Sequence, residues 1–252
     1  MSAWGIPGLL LVLSLTAGAG PAAAQAAGLR NGAAGARPFS GRTTIAPPVA
    51  KYVAGDDRAF VLDRSGQTPL LKFEDSAEVW VLRPAPGPRG DVIYKDELGR
   101  QVIRASRVGG LTVFTADNPR GLPAALAGRA SAIRLTVIRP DALLSHFVAQ
   151  SRRASRAVRR RILFETGEDA TAATAILFAD AATIAAEAVA RFAERADARS
   201  VLSRLDTVRV TLGWRPGAVV RGDTLEVVIA PQLGLSGRPS SERIVRALDA
   251  AG

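Results

Sequence analysis

A chain of 252 residues, 48% of them hydrophobic, is long enough to bury a sizeable interior, and 33 Lys+Arg against 23 Asp+Glu leave a formal net charge of +10. The absence of cysteine excludes disulfides, thiolate zinc sites and cysteine nucleophiles, and a single histidine excludes multi-histidine metal centres. Only Lys51, Lys72 and Lys95 are lysines, so 30 of the 33 basic residues are arginine; this bias is of the kind a GC-rich genome imposes, and the charge by itself argues attraction to anionic surfaces and no more.

The chain opens with a secretory address. Residues 9–15 form a short apolar run, and small residues follow, with Ala22 and Ala24 framing a cleavage site before Gln25. The run falls short of the roughly 20 apolar residues of a membrane-spanning helix. No charged side chain precedes it, which departs from the usual basic start. The expectation is an exported protein, periplasmic or secreted, with no transmembrane segment in the mature chain. It should also be soluble, because a bacterial lipoprotein anchor needs a cysteine at the cleavage site. Residues 25–55, rich in Ala, Gly, Pro and Arg, read as a flexible leader.

From residue 56 to 139 the texture becomes β-rich. Short β-branched and aromatic runs at 60–62, 70–73, 78–82, 92–94, 102–104, 111–114 and 133–138 alternate with turn formers such as 84–90 and 96–99, the pattern of an antiparallel meander. After Pro140 the period lengthens. Leu144, Phe147, Val148, Ser151, Ala154, Ser155, Val158 and Ile162 share one helical face, Asp141 stands at the helix start, and Thr166-Gly167 closes the helix. A second, alanine-rich helix is expected from about 169 to 198, mostly buried. Strands at 207–212 and 224–229, joined through Trp214 to Gly217, read as a hairpin, and a short helix at 243–248 ends the chain. The fold class is α+β: an antiparallel β meander followed by two long helices, a C-terminal β-hairpin and a short terminal helix. Residues 140–252 are expected to share one core with 56–139.

Candidate chemistry is sparse. His146 falls opposite the Leu144/Phe147/Val148 face and is expected to point to solvent, without a neighbouring nucleophile or orienting carboxylate. Arg152, Arg153, Arg156, Arg159 and Arg160 gather on the polar side of the first helix. They suit an anionic envelope component or partner protein, or internal pairing with Asp169, Asp180, Glu187 and Glu194 of the second helix. Aromatics that would stack on bases are missing from that face, which argues against nucleic acid. The adjacent acids Asp56-Asp57, Glu74-Asp75, Asp96-Glu97 and Glu168-Asp169 are weak candidates for carboxylate catalysis, which needs two carboxyls set across a sugar by the fold. No Gly-x-Ser-x-Gly elbow and no phosphate-cradling loop occur. Trp80 and Trp214 read as core or sheet-edge packing. Neither a cofactor nor a metal nor a catalytic residue is indicated.

Three stretches, 71–82, 88–114 and 228–241, together resemble an uncharacterised bacterial family catalogued as domain of unknown function 4908. The resemblance covers most of the mature chain and implies no activity, cofactor or catalytic residue. The functional expectation is an exported, non-catalytic envelope or periplasmic binding or scaffolding protein that uses its basic helix face. The alternative is a cell-envelope hydrolase working through carboxylates that the sequence leaves unassigned. A third class, an inhibitor or assembly chaperone, would present an exposed, regular outer strand.

Overall fold

The computed structural model describes residues 46–167 and 170–252. The cleavage reading at Ala22, Ala24 and Gln25 and the Glu168-Asp169 pair lie outside the described residues.

Nine strands form one antiparallel sheet. β1 (Val49–Ala54), β2 (Ala59–Asp63), β3 (Leu70–Phe73) and β4 (Trp80–Val81) step outward to one edge. β5 (Arg83–Pro86), β6 (Val92–Lys95), β7 (Gln101–Ala105), β8 (Leu111–Val113) and β9 (Leu122–Arg129) step back from the other, and β9 pairs with β1. The spatial order β4-β3-β2-β1-β9-β8-β7-β6-β5 places β4 and β5 at opposite edges, yet Leu82 alone separates them in the chain. Consecutive residues advance by about 3.8 Å, so the sheet must curl until its edges nearly meet. Leu82 is fully buried at that junction, and its N–H donates to the Pro69 carbonyl at 2.9 Å. Strand alternation turns Tyr52, Phe60, Leu62, Leu71 and Phe73 into the interior. There the Tyr52–Phe60 and Phe60–Phe73 ring pairs each lie 5.6 Å apart.

The remainder is built around one helix. α1 (Pro140–Val158) leads through β10 (Leu163–Glu165) to α2 (Ala175–Ala193), the short α3 (Ala198–Leu202), β11 (Thr207–Leu212), β12 (Gly217–Arg221), β13 (Thr224–Ile229) and α4 (Ser241–Asp249). α2 is buried at 12 of its 19 positions, seven of them alanine. Small side chains there let α1, α4 and the four-stranded sheet β10-β11-β13-β12 all approach it closely. Its larger side chains, Phe178, Ile184, Val189 and Phe192, fill a second hydrophobic cluster with Val208, Val210, Leu225, Val227 and Ile229.

Nine strands of the antiparallel sheet precede the first α-helix, as an α+β order predicts, whereas from Pro140 onward helices and strands alternate and part of the second sheet is parallel. Several finer expectations are corrected. Residues 207–212 and 224–229 are not partners in a hairpin: β11 and β13 run parallel, and the hairpin is β12–β13, closed by Gly222-Asp223. Gly222 adopts φ +61°, the conformation a two-residue turn asks of its first central residue. The first helix stops at Val158 rather than near Thr166. Arg159 takes a left-handed conformation (φ 59°), and Ile162 is held by Ser151 and Ser155, so Leu163–Glu165 leaves the helix and pairs with β11.

Residues 133–138, expected as a strand, form neither helix nor strand. Their anchor is the Ile133 N–H, which donates to Asp63 at 2.8 Å, while Leu135 and Ile138 pack on the second cluster. The buried stripe of α1 is Leu143, Phe147 and Ala154, rotated from the expected face, so Leu144 is 75% exposed and Val148 is exposed. His146 consequently faces inward, with Nε2 2.9 Å from the Ala179 carbonyl and 3.0 Å from Thr183 Oγ1. Trp214, expected to pack, is exposed. Among the described residues no helix is long and apolar enough to cross a membrane.

Candidate functional site

The structure divides the five arginines of the first helix. Arg153 pairs with Glu187 of α2. Arg160, just past the helix end, donates to the carbonyls of Leu202, Ser203 and Leu205 at 2.9, 2.6 and 3.0 Å and pairs with Asp206. Arg152, Arg156 and Arg159 are exposed, and their guanidiniums have no partner among the described residues. Of the second-helix acids considered for pairing, Glu187 meets an arginine of this group, whereas Asp180 pairs with Arg238.

A denser polar constellation lies where the strand-rich and helical parts meet. The buried Glu78, just before β4, accepts from the Ser241 N–H at 3.0 Å and from Ser241 Oγ at 2.5 Å. Glu97, in the β6–β7 turn, accepts from the Ser240 N–H at 2.8 Å, Ser240 Oγ at 2.5 Å and Arg243 Nε at 3.2 Å. Ser240 is the N-cap of α4 and also accepts from the Arg243 N–H. Two carboxylates from the strand-rich part therefore hold the first N–H groups of α4, where the helix dipole also favours negative charge.

Arginines complete the network. Arg191 of α2 donates to Ser241 Oγ at 2.8 Å and pairs with Glu242, which Arg100 also reaches at 2.9 Å while holding Asp96 at 2.8 Å. Arg238, only 4% exposed, donates to the Val79 carbonyl and pairs with Asp180. Its placement depends on the loop before it. Gly237 lies so close to Ala230 that a Cβ would overlap the Ala230 carbonyl, and the Ala230 N–H donates to the Gly237 carbonyl at 2.6 Å.

The two glutamates are tuned in opposite directions. Burial pushes the Glu78 carboxyl above its ordinary value, against the lowering pull of Ser241, Arg238 and Arg191. Burial acts upward on Glu242 too, but Arg191 and Arg100 outweigh it and hold that carboxyl below its ordinary value.

Two cavities flank this network, and Glu78, Trp80, Asp96 and Glu242 line both. The smaller, of about 270 Å³, adds Glu97, Arg238 and Arg243. The larger, of about 760 Å³, opens between strand-side residues such as Phe73 and Phe114 and α2 residues such as Glu187 and Glu194. Trp80 stands edge-on to Phe73 at 6.1 Å in its wall.

Sequence reading found part of this site. The sequence offers Asp75, Asp96, Glu97, Asp180, Glu187, Glu194 and Trp80 as candidates and Ser240-Ser241 as loop serines without an elbow, but it singles out none of Glu78, Arg100, Arg191, Arg238 and Glu242. The one local signal was Glu78, a charge inside an otherwise apolar run.

The molecule thus belongs to a class that joins a near-closed antiparallel barrel to a helix-centred α+β half through buried hydrogen bonds of Ser241 to Glu78 and of Arg238 to the Val79 carbonyl, flanked by the partly exposed ion pairs Arg100–Glu242 and Arg243–Glu97. The family model described as "Domain of unknown function (DUF4908)" matches residues 33–248, and the chain belongs to that family. Neither a curated protein nor a solved structure matches it.

Proposed function

We propose that the chain is an exported binding protein whose ligand occupies the larger cavity, and that the ligand is a compact cation with an apolar body. The observation carrying this reading is a local reversal of charge. Asp75, Glu78, Asp96, Asp117, Glu187, Glu194 and Glu242, seven of the chain's 23 acids, line the cavity against three of its 33 basic residues, Arg58, Arg100 and Arg191. Each of those arginines is already committed to carboxylates, Arg58 to Asp75 and Asp117, Arg100 to Asp96 and Glu242, and Arg191 to Glu242, and Glu187 is paired with Arg153, so the acids still outnumber the arginines that meet them. Glu194 has no cationic partner among the described residues, so unneutralised negative potential is left at the opening. Trp80, Phe73 and Phe114 supply aromatic wall, which attracts both apolar carbon and cations. The volume lies within the range of small-molecule sites. Export is supported by the layout of residues 1–24.

Isothermal titration with phenethylamine, a single ammonium on a compact aromatic body, tests it. Binding that weakens at least severalfold in Glu194→Gln and Asp117→Asn, both exposed positions, supports the reading; no heat with phenethylamine, or binding indifferent to both changes, sinks it.

A second reading, a hydrolase acting on envelope glycan, is favoured by one observation: Glu78 and Glu242 line the same cavities with their acidities pushed apart, as an acid and a base must be. Release of reducing ends from cell-wall glycan, abolished by Glu242→Gln, would replace the binding reading.

A further inference from the structure

We infer that the outer face of α1 docks on the surface of an anionic lipid bilayer. Leu144, Val148, Arg152 and Arg156 follow one another at intervals of four residues, so they form one continuous row along the helix. All four are exposed, and Leu144 is exposed to 75%. Arg159, also exposed, follows directly past the end of the helix. The row is apolar in its first half and cationic in its second.

Internal pairing sharpens the pattern. Arg153 and Arg160 are drawn onto Glu187 and Asp206, so the arginines left outward are those on the row and its extension. Val137, in the segment leading into α1, is a further exposed apolar side chain at 83%.

Charge complementarity selects the occupant. Guanidiniums bind phosphate in paired hydrogen bonds, and lipid headgroups present phosphates in a plane that a helix lying flat can reach with several arginines at once. Leu144 and Val148 would then enter the acyl boundary beneath those headgroups. A nucleic acid offers the phosphates but no apolar layer, and the row carries no aromatic to stack on bases. The overall charge of +10 supplies long-range attraction, and the row supplies orientation. None of these residues lines the acidic cavity, so the docking surface stands independently of the proposed ligand.

Flotation of the full chain with vesicles is the test, using phosphatidylcholine alone and phosphatidylcholine mixed with phosphatidylglycerol. The chain is expected to float with the mixed vesicles only, and less as salt rises. Changing Arg152, Arg156 and Arg159 to Gln singly should weaken partitioning about fivefold each and reduce its salt dependence. Leu144→Ser with Val148→Ser should weaken it at every salt concentration while leaving the salt dependence intact. Thermal unfolding of all variants should match the parent, since every altered side chain is exposed. Equal flotation with neutral vesicles, or indifference to the arginine changes, overturns the inference. Loss with the arginine changes but not with Leu144→Ser/Val148→Ser also overturns it, leaving a purely electrostatic surface; a duplex DNA probe bound equally well would identify that outcome.

Discussion

Arginine is used in two opposite ways in this molecule. At the junction of the two halves Arg238 is almost wholly buried, paired with Asp180 and bonded to the Val79 carbonyl. On α1, Arg152, Arg156 and Arg159 reach into solvent. The same side chain is structural in the first setting, because its removal leaves a carboxylate stranded in low dielectric, and dispensable for stability in the second. A count of basic residues cannot separate the two roles; burial and partners do.

The largest expected effect lies at the buried pair. Arg238→Met should cost about 3–5 kcal/mol by urea denaturation, the range for breaking one side of a buried ion pair. Replacing Asp180 by Leu in the same chain should restore much of that loss, because no buried charge is then left alone. Failure of the second change to compensate would mean that Arg238 stabilises through Val79 instead.

Next comes Asp63. It accepts from the Ser65 N–H and Oγ and from the Ile133 N–H, and it tethers residues 133–138 to the barrel. Burial pushes its pKa upward, but the Ser65 and Ile133 hydrogen bonds and nearby Arg134 outweigh this and hold it below the ordinary value. A carboxyl depressed in the folded state adds stability that is present above its unfolded pKa and lost as pH falls through the folded one. Asp63→Asn should therefore cost about 1–3 kcal/mol near neutrality and progressively less in acid.

Glu78 supplies the opposite sign. Its folded pKa is raised, so the folded state holds the proton more tightly, and the protein should lose stability as pH climbs from the unfolded glutamate value to the raised one. Glu78→Gln should flatten that slope in pH-dependent thermal melts. An unchanged slope would place the titration elsewhere.

The smallest effects belong to α1. Arg159→Gly should raise stability by about 0.5 kcal/mol, because glycine adopts the left-handed end of the helix without strain. Arg152→Gln and Arg156→Gln should leave it within about 0.5 kcal/mol.

What the sequence displayed and what it hid follow the range of the forces involved. Alternation in 60–62, 70–73 and 102–104 reports one buried sheet face, so those strands were legible. β9 was not: Leu122–Arg129 is rich in alanine and contains Pro and Gly, and it is a strand because β1 and β8 flank it. β1 was hidden in the same way, inside a stretch whose composition resembles a leader. On α1, alternative apolar faces differ by one position, and the neighbour that chooses between them, α2, lies about 30 residues away. The site was the least legible part. Glu78 and Ser241 meet across 163 residues, Arg238 and Val79 across 159, and no local spacing records either encounter.

The two edges of the curled sheet also bear on how copies of the chain meet one another. β4 is only two residues long, and β5 carries Pro84 and Pro86, which have no N–H to offer an incoming strand. Strand-by-strand growth needs a regular row of unpaired donors and acceptors, and neither edge provides one. The prolines that make β5 look like a turn in sequence thus make the sheet a poor template for polymerisation, which suits a chain that has no disulfides to hold a partly opened barrel shut.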